Sequence, residues 1–329
     1  MPGRPGTKEN EESVTVTENR AAASEPLSSA EARALAQQHG LEEAGVRPRM
    51  GTYLKQLWAR RDFIRVFSTS KAYAKHQGSF LGQMWATLNP TLNAIIYTLI
   101  FGFILGADRG VENVVAFIVI GVFIFRLMDN AISSGARAID GNMQLVRSLR
   151  FPRAVLPLAN VITSLTLFIP TVGVMCLFTL ASGYLGYVTD KDLKVITLTW
   201  HWLEIVPALA LVTLLNTGIS FFMARYGYGK PDLLQVLPFI TRLLMYGSGV
   251  LFPITRFVDG TDQTSTIVRA ILEYQPVAVF LRLFRMIMMD DATIPYDPWL
   301  WAWAGGWALF ILVGGFIYFW AAEERYGRD

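Results

Sequence analysis

The chain has 329 residues, of which 53% are hydrophobic and 17% charged, with a mean hydropathy of +0.36 and a formal net charge of +3. Soluble domains carry about 25% charged residues, and 29 basic against 26 acidic side chains leave no basic excess for neutralising nucleic-acid phosphates. A single cysteine, Cys176, excludes an intrachain disulfide framework and a cysteine-rich metal site.

Residues 1–46 hold 12 charged side chains, eight of them acidic, and no Phe, Trp or Tyr. So little apolar surface does not offset the entropy of ordering, and a disordered acidic cytoplasmic tail is expected. Ser28 and Glu31 have capping-box spacing ahead of a short Ala-rich helix to about Gln38, with a solvated coil as the alternative. The segment lacks the basic start and apolar core of a signal peptide.

Residues 47–84 form a second region. At helical spacing Leu54, Leu57, Ile64 and Phe67 share a face with Trp58 at its edge, although Arg61 falls on the same face. Arg and Lys side chains snorkel, so the expectation is an amphipathic helix lying in the membrane interface. The alternative is a cytoplasmic helix packed on protein.

From residue 85 to 329 the pattern is that of an all-α membrane protein. No Asp, Glu, Lys or Arg lies between Lys75 and Asp108 or between Arg153 and Asp190. Such stretches predict six transmembrane spans, near 88–107, 114–135, 157–184, 203–224, 233–254 and 299–321. With the N-terminus inside, the inner segments carry sixteen Lys and Arg and the outer ones seven. That asymmetry places both termini in the cytoplasm.

Three other segments stand out. Residues 137–153 carry Arg137, Arg147, Arg150 and Arg153 against a single Asp140. Gly141 and Pro152 bracket room for a helix of two to three turns, which fits either a docking element or a solvated positive-inside loop. In the last outer loop, 255–298, Ile267, Ile271, Tyr274, Ala278 and Leu281 recur at helical spacing around Pro276. Two short re-entrant helices meeting at a break are expected, dipping partly into the outer leaflet. Trp299, Trp301, Trp303 and Trp307 then mark the outer interface.

Chemistry-bearing motifs are scarce. The Gly229-Lys230 pair is followed by Pro231, so it is no phosphate-binding loop. HExxH and GxSxG do not occur, and His39, His76 and His201 lack ligand spacing. No catalytic residue or metal ligand is assigned. Asp290 and Asp291 are adjacent acids, explained as a solvated loop end. Within the spans, Arg126 and Asp129 are placed to pair on one helix face. Arg242 has no sequence-local partner and should face water or another helix.

Several motifs converge on one family. Tyr73 to Trp85, with Ser79-Phe80-Leu81-Gly82 and Pro90, resembles the approach to the first span of ABC-2 type permeases. Leu145-Val146-Arg147, Phe151-Pro152-Arg153 and Leu156-Pro157-Leu158 are similar to that family's segment between spans two and three. Gln275-Pro276 with Phe284-Arg285 resembles the element ahead of the last span. The order is correct over residues 50–329. The departures are Gln275 in place of Asn, and His76 and Gln77 near positions that are often basic. Within the family the chain most resembles exporters of lipid-linked polysaccharides such as O-antigen, teichoic acid or cell-wall galactan.

The resemblance implies a permease homodimer in the bacterial cytoplasmic membrane, working with two copies of a cytoplasmic ATPase that binds ATP and Mg. It implies ATPase coupling through Gln144, Leu145, Arg147, Arg150, Phe151, Pro152 and Arg153, and an extracellular gate around Gln275, Pro276, Phe284 and Arg285. Transport rather than catalysis by this chain follows. Sugars stack on aromatic faces, so Tyr97, Phe101, Phe125, Phe239 and Tyr246 are candidate channel residues. Arg126 and Arg242 are candidates for an anionic pyrophosphate linkage. Small-molecule or drug efflux on the same fold is the alternative.

Overall fold

The computed structural model describes residues 28, 31, 35, 38, 48–75, 78, 80–104, 110–149, 151–189, 193–254, 263–289 and 291–326. Every regular element among them is helical. The chain divides into two units, Met1–Val46 and Arg47–Asp329.

In the first unit the capping box forms. The Ser28 amide and hydroxyl donate to Glu31 Oε2 at 3.0 and 2.8 Å, and the Glu31 amide donates to Ser28 Oγ at 3.4 Å. Residues 31, 35 and 38 are helical. The Ser28 hydrogen bonds hold the Glu31 carboxyl below the usual carboxylate range. His39 and the other residues of the acidic tail lie outside the described residues.

The second unit opens with α1 (Met50–Ala59) and α2 (Arg61–Ala74), separated by a break at Arg60, where the sequence pattern suggests one helix. Leu54 and Trp58 are exposed and Tyr53 is the buried residue of α1. Leu57, Ile64 and Phe67 of the expected face still pack in one cluster across the break, whereas Leu54 does not join them. Through Ile64, Ser68 and Ala72, α2 packs on the protein. Lys71 Nζ donates to Asn160 Oδ1 at 2.7 Å, and Asn160 Nδ2 donates to the Ser134 carbonyl at 2.8 Å.

Helix α3 (Met84–Tyr97) passes through Pro90 and continues as a π-helix over Thr98–Ile104. Helix α4 (Val114–Ala136) is capped by Asn113, whose Oδ1 accepts from the Ala116 amide at 2.9 Å. A short helix α5 (Met143–Ser148) precedes the long α6 (Val155–Thr189). Then come α7 (Ile205–Gly227), α8 (Pro231–Gly247), α9 (Gln263–Tyr274), α10 (Pro276–Met288) and α11 (Trp299–Trp320).

Among the described residues four helical stretches are long and apolar enough to cross a membrane: Val114–Ala136, Val155–Tyr184, Trp200–Gly227 and Trp299–Trp320. The two other expected spans are occupied by shorter elements. The first is α3 with its π-helical continuation. The second is α8, which stops at Gly247 rather than 254 because the chain turns through Ser248 and Gly249, the latter at φ +71.

Helix α4 is apolar around its circumference from Val114 to Phe125, and 78% of its span is buried against 22% for α11, so α4 is the centre of the unit. Helices α4, α7 and α11 meet at glycines. A Cβ on Gly218 of α7 would strike the backbone of Ile311 and Leu312 in α11, and one on Gly315 would strike the Gly218 carbonyl. Gly135 and Gly227 similarly admit the backbones of Ser220 and Ala136. Where water does not drive helices together, such close approach supplies the packing energy.

Candidate functional site: a cation-bearing groove beside α3

Tyr97 of α3, Phe125 and Arg126 of α4 and Arg242 of α8 come together around a groove of about 340 Å³, with Asn93, Asp129 and Thr241 also in its walls. Arg126 Nη1 lies 2.9 Å from Asp129 Oδ2, the pairing that the i, i+3 spacing predicts. Arg242 forms no ion pair among the described residues. Phe101 packs against Tyr97 with ring centroids 6.3 Å apart and sits one turn beyond the groove. Phe239 and Tyr246 are exposed on α8 and do not line it. With Arg242 they follow an i, i+3, i+7 stripe, so one face of α8 carries two rings and a cation.

The other side of α3 is also open. A polar cleft of about 100 Å³ contains Lys75, Asn89, Arg126 and Asn130. Beyond it an apolar groove of about 670 Å³ runs between Tyr73, Met84, Leu88 and Pro170, with Ala86 and Leu167 shared by both. Desolvation, and then the neighbouring Arg126 guanidinium, pull the Lys75 ammonium below its ordinary range. Sequence reasoning missed Lys75; its place at the end of the last charged segment before a charge-free run was the available signal. His76, Gln77 and Ser79 lie outside the described residues.

The candidate docking segment is smaller than expected. Helix α5 spans six residues, anchored by buried Val146, with Gln144 and Arg147 exposed and Leu145 half-buried. Arg150 lies outside the described residues. Phe151 turns back onto Phe63 at 5.9 Å between centroids, and Pro152 is buried. Arg153 points into a buried network: its amide donates to Glu323 Oε1 at 2.9 Å, and its guanidinium stands 3.6 Å away. Tyr53 Oη donates to Glu323 Oε2 at 2.8 Å and accepts from the Ala154 amide at 3.1 Å. Burial raises the Glu323 carboxyl above the usual range despite these donors, and burial also pushes up the Tyr53 phenol. The network, joining α1, the segment after α5 and the end of α11, links residues 270 positions apart and left no sequence signal.

At the opposite end of α4 and α11, Gln275 breaks α9 from α10, and Pro276 starts α10 at its first position. Gln275 Nε2 donates to the carbonyls of Gly247 and Leu272 at 2.9 and 3.0 Å. The exposure differs from the sequence expectation: Ile267 and Ile271 of α9 are exposed, whereas Ala278, Leu281 and Phe284 of α10 are in the core. Arg285 is only 5% exposed. It is satisfied by backbone, with Nη1 donating to Gly249, Nη2 to Val250 and Phe117, and Nε to Phe117, at 2.8 to 3.3 Å. Its guanidinium also lies 3.3 Å over the Phe117 ring. Gly121 makes this possible, because a Cβ there would strike the guanidinium and the Val250 carbonyl. Asp291 is not a solvated loop end. It is buried, accepting from the Glu112 amide at 3.0 Å and from the Thr293 amide and hydroxyl at 2.8 and 2.6 Å. Asp290 lies outside the described residues.

No family model matches the chain. Among curated proteins it is similar to the O-antigen export system permease protein RfbA of Myxococcus xanthus. The two are 26% identical over 246 residues, 74% of this chain and 87% of that protein. It is also similar to O-antigen export system permease proteins RfbA of Klebsiella pneumoniae. One is 23% identical over 72% of this chain and 83% of the relative, the other 23% identical over 70% and 81%.

Proposed function

We propose that this chain is the permease subunit of an ATP-driven exporter. It carries a lipid-linked polysaccharide across the bacterial cytoplasmic membrane for cell-envelope assembly. The observation that carries this reading is the similarity, over nearly three quarters of the chain, to permeases named for O-antigen export. Those names speak for a polysaccharide over a small molecule. The apolar helices α4, α6, α7 and α11 support a multi-pass membrane protein.

In this reading the acidic tail 1–46 and the region 47–84 precede a six-span domain, 85–329, with both termini cytoplasmic. Helices α3 and α8 supply the two further crossings. The 17 residues of α8 rise about 25 Å, short of a hydrocarbon core of ~30 Å, as suits a helix lining a wet path rather than lipid. A cation beside Phe239 and Tyr246 is costly against lipid, so this face of α8 meets water or the second copy of a homodimer. Arg126 and Arg242 then hold the pyrophosphate linkage of the cargo, and the apolar groove beside Lys75 takes its hydrocarbon tail. Aromatic rings, among them Tyr97, Phe101 and Phe125, give sugars contacts that tolerate sliding. The chain transports and the partner catalyses: two copies of a cytoplasmic ATPase bind ATP and Mg. The gate is formed by α9 and α10 around Gln275, Pro276, Phe284 and Arg285.

Depletion of the protein should cause a lipid-linked glycan to accumulate on the cytoplasmic leaflet while surface glycan falls. Extraction and mass spectrometry of the polyprenyl-linked pool checks this, and an unchanged pool overturns the reading. Coupling is assigned to 143–153, with Gln144 and Arg147 of α5 offered to the ATPase, Leu145, Phe151, Pro152 and Arg153 holding the segment, and Arg150 a further candidate for the docking contact. Arg147→Ala should weaken co-purification of the ATPase, or uncouple its hydrolysis from transport, by roughly tenfold if a charged contact worth ~1.5 kcal/mol is lost. Unchanged affinity and coupled transport would mark α5 as a charged loop only.

A further inference from the structure

Between the start of α4, the turn after α8, and helices α9 and α10 lies a cavity of about 210 Å³, beside the proposed gate, to which the export reading gives no ligand. At ~30 Å³ per water it has room for about seven waters, and its walls are cationic. Arg269, Arg282 and Arg285 line it, with Glu273 as the acidic counterpart. Glu273 is committed, since Arg269 Nε donates to its Oε1 at 2.8 Å. Arg285 spends four hydrogen bonds on carbonyls, which occupy four of its five donors and leave its charge without an acid among the described residues. Arg282, half-buried three residues earlier on the same face of α10, forms no ion pair among the described residues. Two like charges at this spacing repel, and their proximity in a buried setting calls for a counter-anion.

A second feature points the same way independently. Ser248, also in the cavity wall, is 1% exposed, and its hydroxyl has no hydrogen-bond partner among the described residues. A buried hydroxyl left unpaired calls for an explanation, and one in the same wall as two guanidinium groups without an acid partner among the described residues is a donor waiting for an anionic oxygen. Arginine forks match the oxygens of a carboxylate or a phosphoryl group two at a time, and the Ser248 hydroxyl adds a donor for the further oxygens that a phosphoryl group carries.

We infer that this cavity binds a phosphoryl group, a phosphate monoester or diphosphate, held by Arg282 and the Ser248 hydroxyl with the Arg285 charge behind them. The inference rests on the cavity and not on the export reading. A lipid headgroup and a soluble phosphate compound share the chemistry, and the test separates them.

The full chain in phosphatidylcholine nanodiscs is titrated with inorganic pyrophosphate by calorimetry. Saturable binding is expected, weakened at least tenfold in Arg282→Gln, partly restored in Arg282→Lys, and weakened a few-fold in Ser248→Ala, with melting temperatures unchanged. Arg242→Glu separates this site from the groove beside α3. In an Arg242→Glu background, which removes the pyrophosphate site proposed for that groove, binding that is lost on adding Arg282→Gln supports the cavity, and binding that persists overturns it. In discs containing phosphatidic acid, whose headgroup is a phosphate monoester, loss of pyrophosphate binding identifies a lipid headgroup as the occupant, and retention identifies a soluble phosphoryl compound. Absence of saturable binding to the wild-type chain, or equal binding by Arg282→Gln, overturns the inference.

Discussion

Arg242→Glu abolishes cargo export while the chain still reaches the membrane and still binds its ATPase: that is the expected result if the groove beside α3 handles an anion. Arg126 is already tied to Asp129 at 2.9 Å, which leaves Arg242 as the groove's cation without an ion pair among the described residues. At ~4 Å and an effective dielectric near 20, a charge pair is worth about 4 kcal/mol, and reversal turns that attraction into comparable repulsion. Export should therefore fall to roughly a hundredth or less, since each 1.4 kcal/mol is tenfold. Arg242 is exposed on α8, so the change leaves no buried group unpaired and the fold should be kept. Arg242→Lys retains the charge and should export at a rate near wild type. Surface glycan measured by antibody, beside co-purification of the ATPase, decides the matter. Wild-type surface glycan in the Glu variant would sink the assignment.

Glu323→Ala should be the most destabilising single change at the terminal end of the bundle. The carboxylate receives the Tyr53 hydroxyl and the Arg153 amide in a site where Glu323 is 3% exposed. Removing it orphans two buried donors and the half-buried Arg153 guanidinium, a cost on the order of 3 kcal/mol. Thermal unfolding of the purified chain in detergent should show a Tm lower by several degrees, with Glu323→Gln between the variant and wild type. The pH dependence has a definite sign. Burial raises this carboxyl in the folded chain above its unfolded value. Its contribution is thus fully present below the ordinary carboxylate range and is lost as pH rises through the folded value. Glu323→Gln, which carries no charge at any pH, should gain on wild type as pH rises. A Gln variant that loses ground instead would mean that the ionised form is the stabilised one.

Much of the scaffold is legible in the sequence because it depends on local composition. Long apolar runs announce α4, α6, α7 and α11, with only the charges of Arg126 and Asp129 interrupting the first, and Pro276 announces the break between α9 and α10. The Arg126–Asp129 pair and the Ser28–Glu31 capping box are equally local, being three residues apart. What escapes is long-range or a matter of backbone detail. Nothing in Thr98–Ile104 signals a π-helix, and the break at Arg60 has neither Gly nor Pro. The stop after Gly247 did have a signal, the Gly-Ser-Gly run, which the surrounding apolar residues mask. The sequence pattern reads α10 as a short re-entrant helix dipping partly into the outer leaflet. Its Arg282 and Arg285 do not announce that it is buried in protein, where carbonyls of Phe117, Gly249 and Val250 reach Arg285 from distant segments. The groove beside α3 is likewise a tertiary fact: spacing predicts that Arg126 meets Asp129, but not that Tyr97, Phe125 and Arg242 share one space.

The glycine contacts joining α4, α7 and α11 carry a mechanical consequence. Backbones that touch have no side chains to compress or re-rotamer, so these three helices form a stiff plank whose internal spacing does not change. Compliance sits elsewhere. Helix α3 buries only Pro90 and Ala94, and α8 only Leu237 and Thr241. Each also has a built-in place to flex, the π-helical stretch after Tyr97 in one and Pro238 in the other. A passage that must widen for a sugar and narrow behind it would do so by these two thinly anchored helices swinging like shutters against a fixed frame.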